Sequence, residues 1–140
     1  MINQILIGSV IIVIVSLIHL WATKISIHII RRSKSGPAII GRIRNFIWLD
    51  SIVLLLILTS LLESIIWAVC YVKLAAFEHF EEAVYFSIVT FTTLGYGDIT
   101  LDVNWRILAS LEAASGIIVF GWSTAIVMGA IQNIILNKKN

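Results

Sequence analysis

The stretch Thr92-Thr93-Leu94-Gly95-Tyr96-Gly97-Asp98 decides how this chain is read. Two threonines lead into two glycines separated by a tyrosine, and a carboxylate closes the run. Glycine has no Cβ, so Gly95 and Gly97 admit backbone angles closed to most residues, and alternate carbonyls can be turned the same way. Several such strands around one axis would form a column of oxygens able to replace the water around a dehydrated cation.

What flanks the stretch sets its surroundings. Before it, residues 81–91 read EEAVYFSIVTF, helical in length but too short to cross a bilayer, which takes about 20 apolar residues. This segment is expected to be re-entrant. Glu81 and Glu82 stand at its N-terminus, where the helix dipole favours negative charge, and its carbonyl end runs into Thr92 and Thr93. After the stretch, residues 99–104 form a short return and residues 105–136 a long apolar run. Two further apolar runs precede it, at 2–30 and 47–73. The first is about 28 residues, roughly 42 Å as a helix. Over all 140 residues, 59% are apolar and 13% charged, with a mean hydropathy of +1.00. A soluble domain carries about twice that share of charge. The expected fold is therefore an all-α membrane protein with three transmembrane helices plus a re-entrant helix and loop. Met1-Ile2-Asn3-Gln4 offers no basic region of a cleaved signal, so the first run reads as a retained helix. Cys70 is the single cysteine, which excludes an internal disulfide and a multi-cysteine metal site.

The charges give sidedness. Residues 31–44 carry Arg31, Arg32, Lys34, Arg42 and Arg44 with no acidic residue, around a turn at Ser35-Gly36-Pro37. The positive-inside rule makes this segment cytoplasmic, as it does the terminal Lys138 and Lys139. The N-terminus and the acidic segment with Glu78, Glu81 and Glu82 then lie outside. Residues 1–30 read as a first transmembrane helix, 31–46 as a basic cytoplasmic linker, and 47–140 as the unit bearing the loop. Residues 37–46 fit either an interfacial helix or an ordinary loop. Trp21 and Lys24 are interface anchors; Lys24, His28, Arg31 and Arg32 sit too near the edge for a voltage sensor. Glu63 lies at mid-span beside Thr59, Ser60 and Ser64, and local hydrogen bonding is expected there. For His19, the deepest polar group of the first run, contact with a neighbouring helix is expected.

From residue 47 to 136, the order of outer helix, short helix, TTLGYGD loop and glycine-bearing last helix resembles the pore module of potassium channels. The resemblance implies a potassium-selective channel in the cell membrane, multi-pass, with the N-terminus and pore loop extracellular and the C-terminus cytoplasmic. It implies a homotetramer in the lipid bilayer, each chain joined by three further copies, with no nucleic-acid partner and no enzymatic step. No cofactor is implied beyond K⁺ held by the carbonyls of Thr93, Leu94, Gly95 and Tyr96, with Gly97 completing the filter. Thr92 and Asp98 would support that filter. Gly116 falls where many members have a hinge glycine, small-residue packing being the other reading. With Ala113, Ile117, Phe120, Thr124 and Met128 it would line the cavity and gate.

Several residues depart from the family pattern. Leu94 replaces the usual valine, which keeps a less selective cation channel open as an alternative. Val89 stands where some bacterial members have a glutamate paired to the filter aspartate, and Tyr85 is expected to donate to Asp98 instead. Glu112 lies roughly 80–120° around the last helix from Phe120 and Thr124, at about 100° per residue. It therefore points to the short helix or a neighbouring chain, with Thr90 or Thr92 as expected partner and a role in filter support. The first helix is extra to the minimal module and is expected at the periphery. A non-conducting regulatory subunit with the same fold is the remaining alternative.

Overall fold

A computed structural model of the chain describes residues 2–32 and 38–136. The turn expected at Ser35-Gly36-Pro37 and the lysines Lys138 and Lys139 lie outside them. Four α-helices follow in order: α1 (Ile2–Arg32), α2 (Ala38–Lys73), the short α3 (Phe80–Phe91) and α4 (Arg106–Leu136), the last entered through a 3-10 turn at Val103–Trp105. Three segments, Ile2–Arg31, Ile43–Lys73 and Val103–Ile135, are long and apolar enough to cross a membrane. The described residues form an all-helical, multi-pass membrane protein. One boundary differs from the sequence reading. Residues 38–46 are not a separate linker or helix but run without a break into α2, because no proline or glycine after Gly41 interrupts the apolar pattern.

The end of α2 is abrupt. Ala75 adopts φ 54°, Ala75 N–H donates to Val72 O at 3.0 Å and Ala76 N–H to Tyr71 O at 3.0 Å. This pair of bonds is a Schellman closure, usually built on glycine. It turns the chain so that Phe77 folds back onto the helix it has just left. Tyr71, Phe77 and Phe86 then stack with ring centroids 5.3–6.1 Å apart, two of the three contacts edge-on. These aromatic contacts seat α3 against the C-terminal end of α2.

α1 runs parallel to α4 along its length. Gln4 hydrogen-bonds the carbonyl of Asn104, Gly8 packs on Leu108 and Leu111, His19 meets Ser123, and Ile29 and Ile30 pack against the cluster holding Ile126 and Ala130. It also lies along α2, with Ile11 and Val15 in the same core as Trp67 and Tyr71. The opposite side of α1 stays apolar and exposed, with Leu6, Val10, Leu17 and Trp21 outward, as a lipid-facing helix requires.

α4 has two distinct sides. Leu108, Glu112, Ser115, Val119, Ile126 and Ala130 are buried, whereas Ile117, Phe120, Thr124 and Met128 are exposed. At about 100° per residue these sets fall on opposite arcs of the helix. Gly116 does not share the open arc with its expected cavity partners. It is buried at the edge of the packed arc, and a Cβ there would overlap the carbonyl oxygen of Phe91.

A left-handed alanine costs about 1 kcal/mol relative to glycine. Ala75→Gly should therefore stabilise the α2 terminus by about that amount, read as a higher midpoint of thermal unfolding in detergent; an unchanged or lower midpoint would contradict this account.

Candidate functional site

The loop 92–98 begins where α3 ends. Thr92 closes the helix, its N–H donating to Ile88 O at 3.0 Å and its hydroxyl to the same oxygen at 2.7 Å. Thr93 N–H donates to Thr90 O, and the Val89 carbonyl accepts from both Leu94 N–H at 3.0 Å and Gly95 N–H at 3.2 Å. The start of the loop is thus tied to the last turn of α3, whose dipole directs its negative end there.

Beyond that tie the backbone alternates. Thr93, Gly95 and Gly97 have φ of 61°, 58° and 77°, while the intervening Leu94 and Tyr96 are not among the residues with positive φ. Alternating the hand at every second residue turns successive carbonyls to one side, the geometry that Gly95 and Gly97 make available. Thr93 takes the same left-handed region without glycine's freedom. That is a strained position, and strain of this kind collects at functional loops. The whole loop is exposed in the single chain, Leu94 by 55% and Tyr96 by 67%.

At its far end Tyr85 Oη donates to Asp98 Oδ2 at 2.6 Å. That bond holds the Asp98 carboxyl below the usual carboxylate range and the Tyr85 phenol above its own. Asp102, one turn further on, accepts from Val103 N–H at 2.6 Å and opens the 3-10 turn. Between the loop, α3 and the head of α4 runs a groove of about 410 Å³, lined among others by Tyr85, Val89, Gly95, Asp98, Arg106 and Ala113. Ala113 therefore faces this groove beside the loop.

Glu112 lies behind α3, fully buried, but its partner is neither Thr90 nor Thr92. Tyr71 Oη on α2 donates to Glu112 Oε2 at 2.6 Å. The second carboxyl oxygen, Oε1, and the Ser87 hydroxyl of α3 are both buried without a formed hydrogen bond. The Thr92 hydroxyl is committed to Ile88, which is why it does not serve Glu112. Glu63 differs from expectation too. Thr59 and Ser64 donate to carbonyls of their own helix, Leu55 and Ser60, and Glu63 Oε1 instead meets His19 Nδ1 at 3.2 Å. The other ring nitrogen of His19 lies 3.3 Å from Ser123 Oγ on α4. In the sequence these three residues lie in three separate apolar runs, with nothing to link them.

Three membrane-length helices, a short helix that stops inside the bundle, and a left-handed-alternating loop at its carbonyl end define a channel-type pore unit. The family model described as "Ion channel" matches residues 45–133, and the chain belongs to that family. The matched segment holds α3, the loop and nearly all of α2 and α4; α1 lies before it. No curated protein and no solved structure gives a significant match to the chain.

The sign of the Asp98 shift gives a titration test. A depressed carboxyl keeps its tie to Tyr85 at neutral pH and loses it as pH falls through the folded-state value. Tyr85→Phe should move the Asp98 titration upwards, towards the ordinary carboxylate value, in carbon-13 NMR of the labelled side chain. An unmoved titration would show that the phenol does not set it.

Proposed function

We propose that the chain is the subunit of a potassium-selective, homotetrameric channel of the cell membrane, with the loop 92–98 as its selectivity filter. The observation that carries this reading is the alternation of left-handed residues at Thr93, Gly95 and Gly97 in a loop wholly uncovered by its own chain. Four copies around one axis would bring four such strands together. The carbonyls of Thr93, Leu94, Gly95 and Tyr96, with the Thr93 hydroxyl, would then hold successive dehydrated K⁺ ions, and adjacent ions displace one another down the electrochemical gradient. The neighbouring copy would cover Leu94 and fill the groove beside the loop. Asp98 raises the local cation concentration at the outer mouth. The exposed arc of Ile117, Phe120, Thr124 and Met128 would face the axis below the filter. The basic segment between α1 and α2 supports a cytoplasmic side for that segment and an extracellular side for the filter.

Gly97 is the position where this reading is most exposed to test. Its φ of 77° is one that residues with a side chain rarely adopt, so a substitution there is strained. Purified chain in liposomes should carry K⁺ flux with a reversal potential strongly favouring K⁺ over Na⁺, and Gly97→Ala should abolish that selectivity or the flux. Near-equal permeability of the unaltered chain would replace the reading with a less selective cation pore. A tetramer without flux would replace it with a non-conducting subunit.

Glu112 supports the filter from behind in this reading, by holding Tyr71 of α2, whose ring packs edge-on against Phe86 of α3. Its carboxyl can exchange a proton, and a neutral amide cannot, so conduction should depend on pH through this residue. Glu112→Gln should flatten the pH profile of K⁺ flux while preserving the tetramer. A profile identical to that of the unaltered chain would leave Glu112 a static brace.

A further inference from the structure

The polar chain Glu63–His19–Ser123 joins α2, α1 and α4 at one level of the bundle. Both His19 and Glu63 are fully buried. The Nδ1–Oε1 distance is 3.2 Å and the Nε2–Oγ distance 3.3 Å, and the His19 ring also stands edge-on to Trp122 at 5.1 Å. Where Glu63 is ionised it only accepts and His19 donates from Nδ1; a neutral ring then accepts the Ser123 proton at Nε2, and a protonated ring donates to Ser123 oxygen. In either form one side chain of α1 is bonded to both helices of the pore unit.

The level of this chain on α4 matters. Ser123 follows Gly121, whose missing side chain leaves open space, while Gly116 above it is locked against Phe91. The upper part of α4 is therefore pinned to α3, whereas at Gly121, two residues before Ser123, a side chain would meet nothing. A bend there would shift Ser123 relative to α1. The side chain that resists it is His19, itself anchored on α2 by Glu63.

We propose that Glu63, His19 and Ser123 form a latch by which the first helix holds the lower half of α4 in one of its gating conformations. The proposal rests on the reading of the chain as a conducting pore, but not on its ion selectivity. α1 is then a working part of the gate rather than a peripheral addition. A single hydrogen bond of this kind changes a two-state ratio by about two- to tenfold.

The test uses the full chain in planar bilayers. Ser123→Ala removes the α4 end of the latch. His19→Asn places an amide nitrogen near Nδ1, keeping the reach to Glu63 but losing Ser123. Both should shorten the mean dwell time of the same single state, conducting or non-conducting, by about two- to tenfold, with the other dwell time and the single-channel current unchanged. The double variant should go no further than either single one. Unchanged dwell times, or additive effects, would overturn the latch.

A second measurement does not require conduction. Spin labels on His28→Cys and Gln132→Cys, in a Cys70→Ser background diluted with unlabelled chain, report the distance from α1 to the lower half of α4. Ser123→Ala should broaden that distance distribution or add a second distance. If it does so in a chain without flux, the tie between α1 and α4 stands but its role in gating falls with the conducting reading; if the distribution is unchanged in a chain with flux, the latch falls and the channel stands.

Discussion

The carbonyl of Phe91 lies so close to α4 that Gly116 has no room for a side chain. This contact sets the depth at which the short helix stops. α3 is only 12 residues long, and its last carbonyls would be free to wander if nothing met them. Pinned by α4 at Gly116 and followed at once by the hydroxyl and amide of Thr92 bonding back to Ile88, the helix delivers its negative end to a defined place. Thr93, Gly95 and Gly97 then start from a fixed origin. The aromatic stack of Tyr71, Phe77 and Phe86 does the same towards the N-terminal end of α3, so the short helix is held at both ends by the long helices.

Within those apolar helices, the buried carboxyls organise the packing. A charged or polar group in the hydrocarbon region costs several kcal/mol unless another group satisfies it. Glu112 meets Tyr71 and Glu63 meets His19, and in each case the partner belongs to a different helix. Apolar faces alone tolerate sliding and rotation, because one leucine replaces another at little cost. A carboxyl that must find its phenol or imidazole tolerates neither. The two pairs therefore set the rotation of α4 against α2 and of α1 against α2, and through them which arc of α4 stays open.

Different parts of this arrangement were legible in the sequence to different degrees. The three spans and the short helix follow from run length, and the loop from Gly95 and Gly97, because these depend on local chemistry. The bond from Tyr85 to Asp98 was within reach of sequence because both residues flank the same loop. The partners of Glu112 and Glu63 were not. The angle of Glu112 around its helix pointed to Thr90 or Thr92, and sequence proximity pointed to Thr59, Ser60 and Ser64 for Glu63, whereas serine and threonine hydroxyls inside a helix find a carbonyl of their own preceding turn more cheaply. The carboxyls are left to residues 41 and 44 positions away.

Gly116 draws the line most clearly. Its sequence context admits a hinge and a packing contact equally, since glycine serves both. Only the position of the Phe91 carbonyl shows the packing contact, and that position depends on where α2, α3 and α4 meet. The amino-acid sequence by itself determined a three-span membrane protein with a short helix feeding a left-handed-capable loop, because hydropathy and glycine act locally. The tertiary structure alone decided which buried groups pair, which arc of α4 is packed and that α1 is bonded to the pore unit, because each depends on contacts between helices distant in the chain.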